Sequence, residues 1–459
     1  MAPFLTTILL EPRDSKDAND CILQMSIELF QHFHLKKEQE VSVMVGKKLI
    51  SMDVQIVDIA HNMIVFPENI FTEFYLPIQA YKFQARYNLE NQILQLGPII
   101  GLITDFSANE DGVPHFRSIH LFCEMLHHGV KENGGFFYVF AYNEFLNKGY
   151  CFENGTWIPS ALPLPDVIYN RVHSRRLEQT NSFKKFRAKL EQLNIPIFND
   201  RFLSKWEVHE KLFHEKQLQS FLPETRIFSR ASLMEFAEKF ETTFIKPIHG
   251  SQGRNIIKLA KGDDNHYTVQ SSLSSIAENN AKTYSIDQIY QQIKPVLNKR
   301  LYIIQQGIPL VTNNGCVMDF RVLCHKNSTN YWRVTSIVAR ISAEQEFVTN
   351  IAKGGTVMKP VEALTTCMNK TDALEVLERI KDLSMQTGSV ISQLPSGIMG
   401  ELGIDIGVDP NGKPWIIEVN SKPSKGFEEY QLKIRPSAKA IIQYCTILAF
   451  DNEIEKEEQ

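Results

Sequence analysis

No run of eighteen apolar residues occurs anywhere in this 459-residue chain. A helix needs about 20 to cross a bilayer, so no membrane span is expected. The first ten residues lack a basic segment, and the acidic Glu11 and Asp14 follow closely, so a secretory signal is not expected either. Cysteine is sparse. The seven residues Cys21, Cys123, Cys151, Cys316, Cys324, Cys367 and Cys445 are odd in number, show no CxxC spacing and cluster with no histidine; they read as reduced thiols of a cytoplasmic protein. An excess of one charge is missing too. The formal net charge is −4, and Asp451 to Gln459 alone hold five carboxylates against one lysine, so the remainder is close to neutral and no nucleic-acid partner is expected. The pattern GxxxxGK[ST] is absent, and no Ser-His-Asp or Cys-His arrangement stands at recognisable spacing.

What is present is an ordinary globular composition, 43% hydrophobic and 22% charged, in a chain long enough for two or three domains. Residues 1–90 carry short β-rich runs such as Val41 to Val45, Val54 to Asp58 and Met63 to Phe66, separated by turns. They predict a small β-barrel or sandwich. Its His32 and His34, two apart with no carboxylate or cysteine partner, read as plain surface or core residues rather than metal ligands. Residues 91–200 alternate strand and helix: the buried run from Gly97 to Ile103, helical spacing of Phe116, Ile119, Cys123 and Leu126, then Phe136 to Phe140 and Asp166 to Asn170. That alternation predicts a small α/β domain with a parallel sheet. The cations from Arg175 to Lys189 interleave with an apolar stripe, Phe183, Phe186, Leu190 and Leu193, and read as a solvated helix face. Residues 201–450 form the third part, and 451–459 an acidic tail.

The third part carries the chemistry. A β-type run ending in Lys246 enters a loop with Gly250, Ser251 and Gly253 before a second β run, Asn255 to Ala260. A lysine beside a flexible backbone whose N–H groups can close over anionic oxygens suits phosphate binding. Further on, Glu401 to Val408 and Trp415 to Asn420 flank a Pro410-Asn411-Gly412 turn and predict a hairpin. Pairing back from that turn brings Asp405 near Glu418, and Asn420 points from the same face as Glu418. Three oxygen donors then converge in a strand whose Ile416, Ile417 and Val419 mark it as buried, where unpaired carboxylates would be costly. Such a set suits a hard cation, magnesium above all.

Lys246 with Gly250-Ser251-x-Gly253, and Asp405 with Glu418-x-Asn420, resemble the nucleotide and metal motifs of the ATP-grasp superfamily, whose members include D-alanine ligase and glutathione synthetase. The resemblance spans roughly residues 160 to 425 in the expected order, and the whole chain resembles the endospore coat-associated YheC/YheD family. It implies an α/β (α+β ATP-grasp) fold with a small α/β pre-ATP-grasp domain and a β-rich N-terminal domain. It implies ATP and Mg2+ as cofactors, with Lys205 as a further phosphate contact and Gln305, Gln306, Gly307 and Ile308 lining the adenine. Arg321 and Arg340 are the implied basic residues facing phosphates and substrate, and Asn350 to Gly355 the mobile segment. The implied activity is ligation of a small-molecule or peptide carboxylate to a nucleophile through an acylphosphate, in association with spore-coat components. The alternatives are a nucleotide-binding structural or regulatory protein without turnover, and a phosphotransferase. Two departures stand out. D-alanine ligase has an arginine two residues before the metal aspartate, where this chain has Gly403, so Arg340 or Arg321 would take over that duty. Lys422 and Lys425 replace small residues after Asn420, and read either as anion-binding or as solvated.

Overall fold

The computed structural model describes residues 5–15, 17, 20–36, 40–108, 113–250, 253–263, 266–273, 283–297, 300–344, 347, 349, 354–394, 397–425 and 434–451. Ser251, positions 350–353 and the tail beyond Asp451 lie outside them. The first seven strands close into a barrel, because Thr6–Arg13 pairs with Met63–Pro67 on one side and Tyr81–Asn88 on the other. Alternation drives the closure: Val41, Val43 and Val45 all point into a core fully shielded from water. The seventh barrel strand is Ile93–Gly97.

The chain then enters a six-stranded sheet in which Phe136–Phe140, Ile99–Ile103, Val167–Asn170 and Ile197–Phe198 are parallel neighbours. Every residue of the first three of these strands is buried, as a sheet covered on both faces requires. The helix Asn181–Gln192 buries Phe183, Phe186 and Leu190 and turns its lysines outward, as its stripe predicts. Helix His120–Asn133 packs with the chain's last described helix, Pro436–Phe450, in one core with this sheet.

Two antiparallel sheets follow. One orders Thr225–Ile227, Tyr302–Gln306, Thr242–Pro247, Ile257–Lys261 and Tyr267–Ser271; the other orders Thr356–Met358, Trp332–Ile341, Cys316–Lys326, Glu401–Val408 and Pro414–Asn420. The 22-residue helix Lys370–Ile391, capped by Asn369, supplies Val376, Ile380 and Leu383 to the core of the second sheet. A cleft of about 490 Å³ opens between the two sheets, lined by Lys205, Lys246, Ile303, Gln305, Ile417 and Glu418 among others.

Candidate functional site

The hairpin register depends on one extra residue. Val408 faces Pro414, Gly407 faces Trp415 and Ile406 faces Ile416, yet Asp405 faces Glu418. Ile417 is therefore a bulge residue. Without it as an extra, Asp405 would meet Ile417, and Glu418 would turn toward the core, since a one-residue slip exchanges the faces of a strand. The burial pattern agrees: Ile416 and Val419, three apart, both lie in the core, while Ile417 and Glu418 between them are only half-buried. Asn420 pairs with Gly403 two residues along, half-buried.

Asp405 and Glu418 each already hold a cation. Arg321, directly opposite Asp405 on the neighbouring strand, donates through Nε to Oδ1 and through Nη2 to Oδ2, the latter at 3.0 Å. Arg340 Nη2 lies 3.1 Å from the same Oδ2 and also grips Asp319 through Nε at 2.7 Å and Nη2 at 2.5 Å. Burial alone would raise the Asp405 pKa; the two guanidinium groups outweigh it and hold the carboxyl below its usual value. Lys205 Nζ meets Glu418 Oε1 at 2.5 Å. Lys205 opens the helix Lys205–Phe213, whose Ser204 cap accepts from the Glu207 N–H, and its own N–H donates to Ile248 O at 3.1 Å. That bond fixes the helix start against the end of the Lys246 strand.

Lys246 donates to Gln305 Oε1 at 2.6 Å, and Gln305 Nε2 donates in turn to Thr225 Oγ1 at 3.0 Å. Burial, with the charge of Lys205 beside it, lowers the Lys246 pKa to about 8, although Glu418 and Asp405 pull the other way. A phosphate entering here would find a desolvated ammonium with little competing water. Gly253 sits at φ +66°, the left-handed region glycine favours, and Gly250 packs where a Cβ would come within 2.7 Å of Pro247. At the hinge, Gln306 N–H donates to Glu224 O and Gly307 N–H to Thr242 O, both at 2.8 Å. These two donors are used inside the fold, which narrows what the strand end offers a base; Ile308 follows, half-buried. Gly307 is required by space, since a Cβ would lie 2.8 Å from Thr242 O.

Several residues escaped the motifs. Glu401, at the start of the hairpin, is wholly buried and receives Tyr169 Oη at 2.5 Å, His325 Nε2 at 2.9 Å and Lys425 Nζ, with Arg171 Nη1 at 3.5 Å. Lys422 is buried against Glu178 and over the Phe202 ring. Neither lysine is solvated, and each already has a protein carboxylate as its anion. Asn199 completes the junction: its Oδ1 accepts from the Gly400 and Glu401 N–H groups at 2.9 and 3.0 Å, and its Nδ2 donates to Glu401 O and Ser421 O. Run-together lysines just past a metal-type asparagine were the available signal; their partners lie too far along the chain to be read from it.

Among curated proteins, the chain is similar to the endospore coat-associated protein YheD of Bacillus subtilis (strain 168), 28% identical over 413 residues covering 87% of this chain and 88% of that protein. It is also similar to YheC of the same organism, 22% identical over 300 residues, covering 65% of this chain and 80% of that one. Among solved structures it is similar to the VanG D-Ala:D-Ser ligase from Enterococcus faecalis, with 12% identity, a TM-score of 0.46, and 77% of this chain and 98% of that chain covered. The family model for the YheC/D-like ATP-grasp domain matches residues 194–448, more than half of the sequence, and the chain belongs to that family.

Proposed function

We propose that the cleft binds Mg-ATP and passes the γ-phosphoryl group to a carboxylate, forming an acylphosphate that a nucleophile then opens. The observation that supports this most is the convergence of Lys205, Lys246 and Glu418 in one cleft, with Asp405 opposite Glu418 on the paired strand. Lys246, desolvated, and Lys205, freed from Glu418, would hold the phosphates. Arg321, on the strand beside Asp405, and Arg340, one strand further, would face the reacting carboxylate; Arg321 Nη1 lies 3.6 Å from where a Gly403 Cβ would be, so a neighbouring strand brings a guanidinium close to the position that lacks its own arginine. Asp405, Glu418 and Asn420 would hold magnesium, and an all-oxygen donor set of two carboxylates and an amide fits a hard cation that also binds phosphates. Bound there, the ion would offset charge developing on the phosphates. The chain's remaining task is position and electrostatics.

The acceptor would be a small-molecule or peptide carboxylate. Because both curated relatives are described as endospore coat-associated, spore-coat components are the partners we would try first. No described helix is long and apolar enough to cross a membrane, and the seven cysteines are unpaired, which suits a reducing cytoplasm. The test is a screen of carboxylates, including coat-derived peptides, for acceptor-dependent ADP release, with Glu418→Gln as control. Release that depends on a carboxylate and is lost in the variant is expected. Nucleotide binding with no acceptor-dependent release would favour a non-catalytic nucleotide binder, and a stable phosphoester product a phosphotransferase.

A further inference from the structure

Outside the nucleotide cleft, three side chains distant in sequence meet at the carboxyl ends of the middle sheet. Ile99–Ile103 and Val167–Asn170 are adjacent parallel strands with Ile103 opposite Asn170, and the chain leaves them through Thr104-Asp105 and Arg171-Val172-His173. Asp105 Oδ1 accepts from the His173 N–H at 2.5 Å and lies 3.4 Å from ring Nδ1. Its Oδ2 holds Arg117 at 3.0 Å. Burial would raise the Asp105 pKa, but the bonds from His173 and the charge of Arg117 hold it at about 2, so it is an acceptor only. Thr104 Oγ1, whose own proton goes to Arg171 O at 3.1 Å, sits 3.3 Å from the same Nδ1. Two acceptors facing Nδ1 place the proton there and leave the lone pair on Nε2. Nε2 faces Ser118 Oγ at 3.5 Å, in the turn just before helix His120–Asn133.

This loop is tied to both walls of the nucleotide cleft. On one side Arg171 Nη2 donates to Pro423 O at 2.8 Å and Lys422 Nζ reaches Val172 O at 3.5 Å, in the segment that leaves the metal-type hairpin. On the other, Arg175 binds His249, just past the Lys246 strand, and donates to Leu203 O at 3.1 Å. The residues on either side of His173 are thus tied to both walls, and His173 itself stands at the carboxyl ends of the middle sheet's strands, outside which ligands of open α/β sheets sit.

We infer that His173 is the general base that takes the proton of the attacking nucleophile, an amine, with Asp105 as its positioning residue. This rests on the ligase reading above. The nitrogen lone pair forms the C–N bond to the acyl carbon, and the bond from that carbon to the phosphate oxygen breaks with its electron pair going to phosphate. Before that attack the ammonium form of the amine gives one proton to Nε2, which frees the lone pair; the proton that the acylated nitrogen then sheds goes to solvent, as does the one on Nε2. Ser118 Oγ holds the lone pair's position until the nucleophile arrives.

Two-bond nitrogen–proton correlation spectra of the full-length protein with nitrogen-15 histidine read the tautomer. His173 is expected with its proton on Nδ1, and Asp105→Asn is expected to shift it toward Nε2; a proton on Nε2 in the wild type overturns the assignment. Turnover separates a base from a merely structural histidine. With Mg-ATP and the carboxylate that drives ADP release, His173→Gln is expected to keep hydroxamate formation with hydroxylamine, which is already uncharged near neutral pH. The same variant should lose roughly 10²-fold or more of amide formation with ethylamine, which must be deprotonated. Equal loss with both nucleophiles, no loss with either, or a wild type unable to use ethylamine overturns the base. A wild type that forms no hydroxamate from any carboxylate fails one step earlier, at the ligase reading itself.

Discussion

Replacing Glu401 with glutamine keeps the shape of a wholly buried side chain and removes its charge. Lys425 and Arg171, with side chains only 2% and 5% exposed, would then share no carboxylate, and the Tyr169 and His325 bonds would lose their ionised acceptor. Breaking a buried pair from one side costs about 3 to 5 kcal/mol, because a charge stays behind without compensation. If the roughly 250 residues of the family-matched region unfold together, at about 2.1 cal/mol/K of entropy per residue, the melting temperature falls by roughly 6 to 10 °C. Adding Lys425→Met should recover part of that loss, since it removes a buried cation that has lost the Glu401 charge. The sign in pH follows from Glu401's pKa, which burial would raise but Lys425, His325 and Arg171 hold far below the usual carboxylate range. Its stabilisation is complete above the unfolded value near 4.5 and disappears only as pH falls toward the folded one, so the variant's acid melting curve should be flatter. The assay is thermal melting by circular dichroism from neutral to acid pH. A single-variant shift under about 2 °C, or a double variant less stable than the single, would refute the reasoning.

Lys246→Met should weaken ATP binding roughly 10- to 150-fold, the equivalent of about 1.5 to 3 kcal/mol for a charge-assisted contact, with an unchanged circular dichroism spectrum; calorimetric titration decides. Because the free lysine deprotonates near pH 8 and phosphate stabilises its charged form, wild-type affinity should decline as pH rises past that value, whereas the methionine variant should show no such slope. Asp405→Asn and Glu418→Gln should each cut turnover by roughly 10²-fold or more while changing nucleotide affinity far less; full activity in both would make the hairpin a structural feature. Gly307→Ala should lower stability by about 1 to 3 kcal/mol, because the new methyl meets Thr242 backbone oxygen at 2.8 Å; a melting curve superimposable on the wild type would contradict that.

The hairpin was legible because alternation and a Pro-Asn-Gly turn mark it locally, and its two acids stand out against isoleucine and valine. The bulge at Ile417 was not, since one extra isoleucine after Trp415-Ile416 leaves no mark of its own in the sequence; only the register shows that Asp405 and Glu418 meet because of it. Lys246 was legible from its place at a strand end, whereas Lys205 was reached only through the family resemblance; the structure brings both into one cleft. Lys422 and Lys425 were misread as anion-binding or solvated, because what decides a lysine's environment is its partner. Glu178 stands 244 residues from Lys422, and Glu401 looked like one more strand residue. Asp105 and Ser118 stand 68 and 55 residues from His173, so no spacing announces their meeting. The packing of Pro436–Phe450 on the middle sheet was equally hidden, as a helix's apolar face does not name its partner.

The central claim is that a carboxylate oxygen attacks the γ-phosphorus, and oxygen-18 transfer tests it most directly. The acceptor carboxylate is labelled with oxygen-18, turned over with Mg-ATP and a nucleophile, and the released phosphate is weighed by mass spectrometry. Through an acylphosphate, one labelled oxygen per turnover should appear in the phosphate. Phosphate carrying oxygen from water alone, or a label that stays entirely in the organic product, would contradict the account.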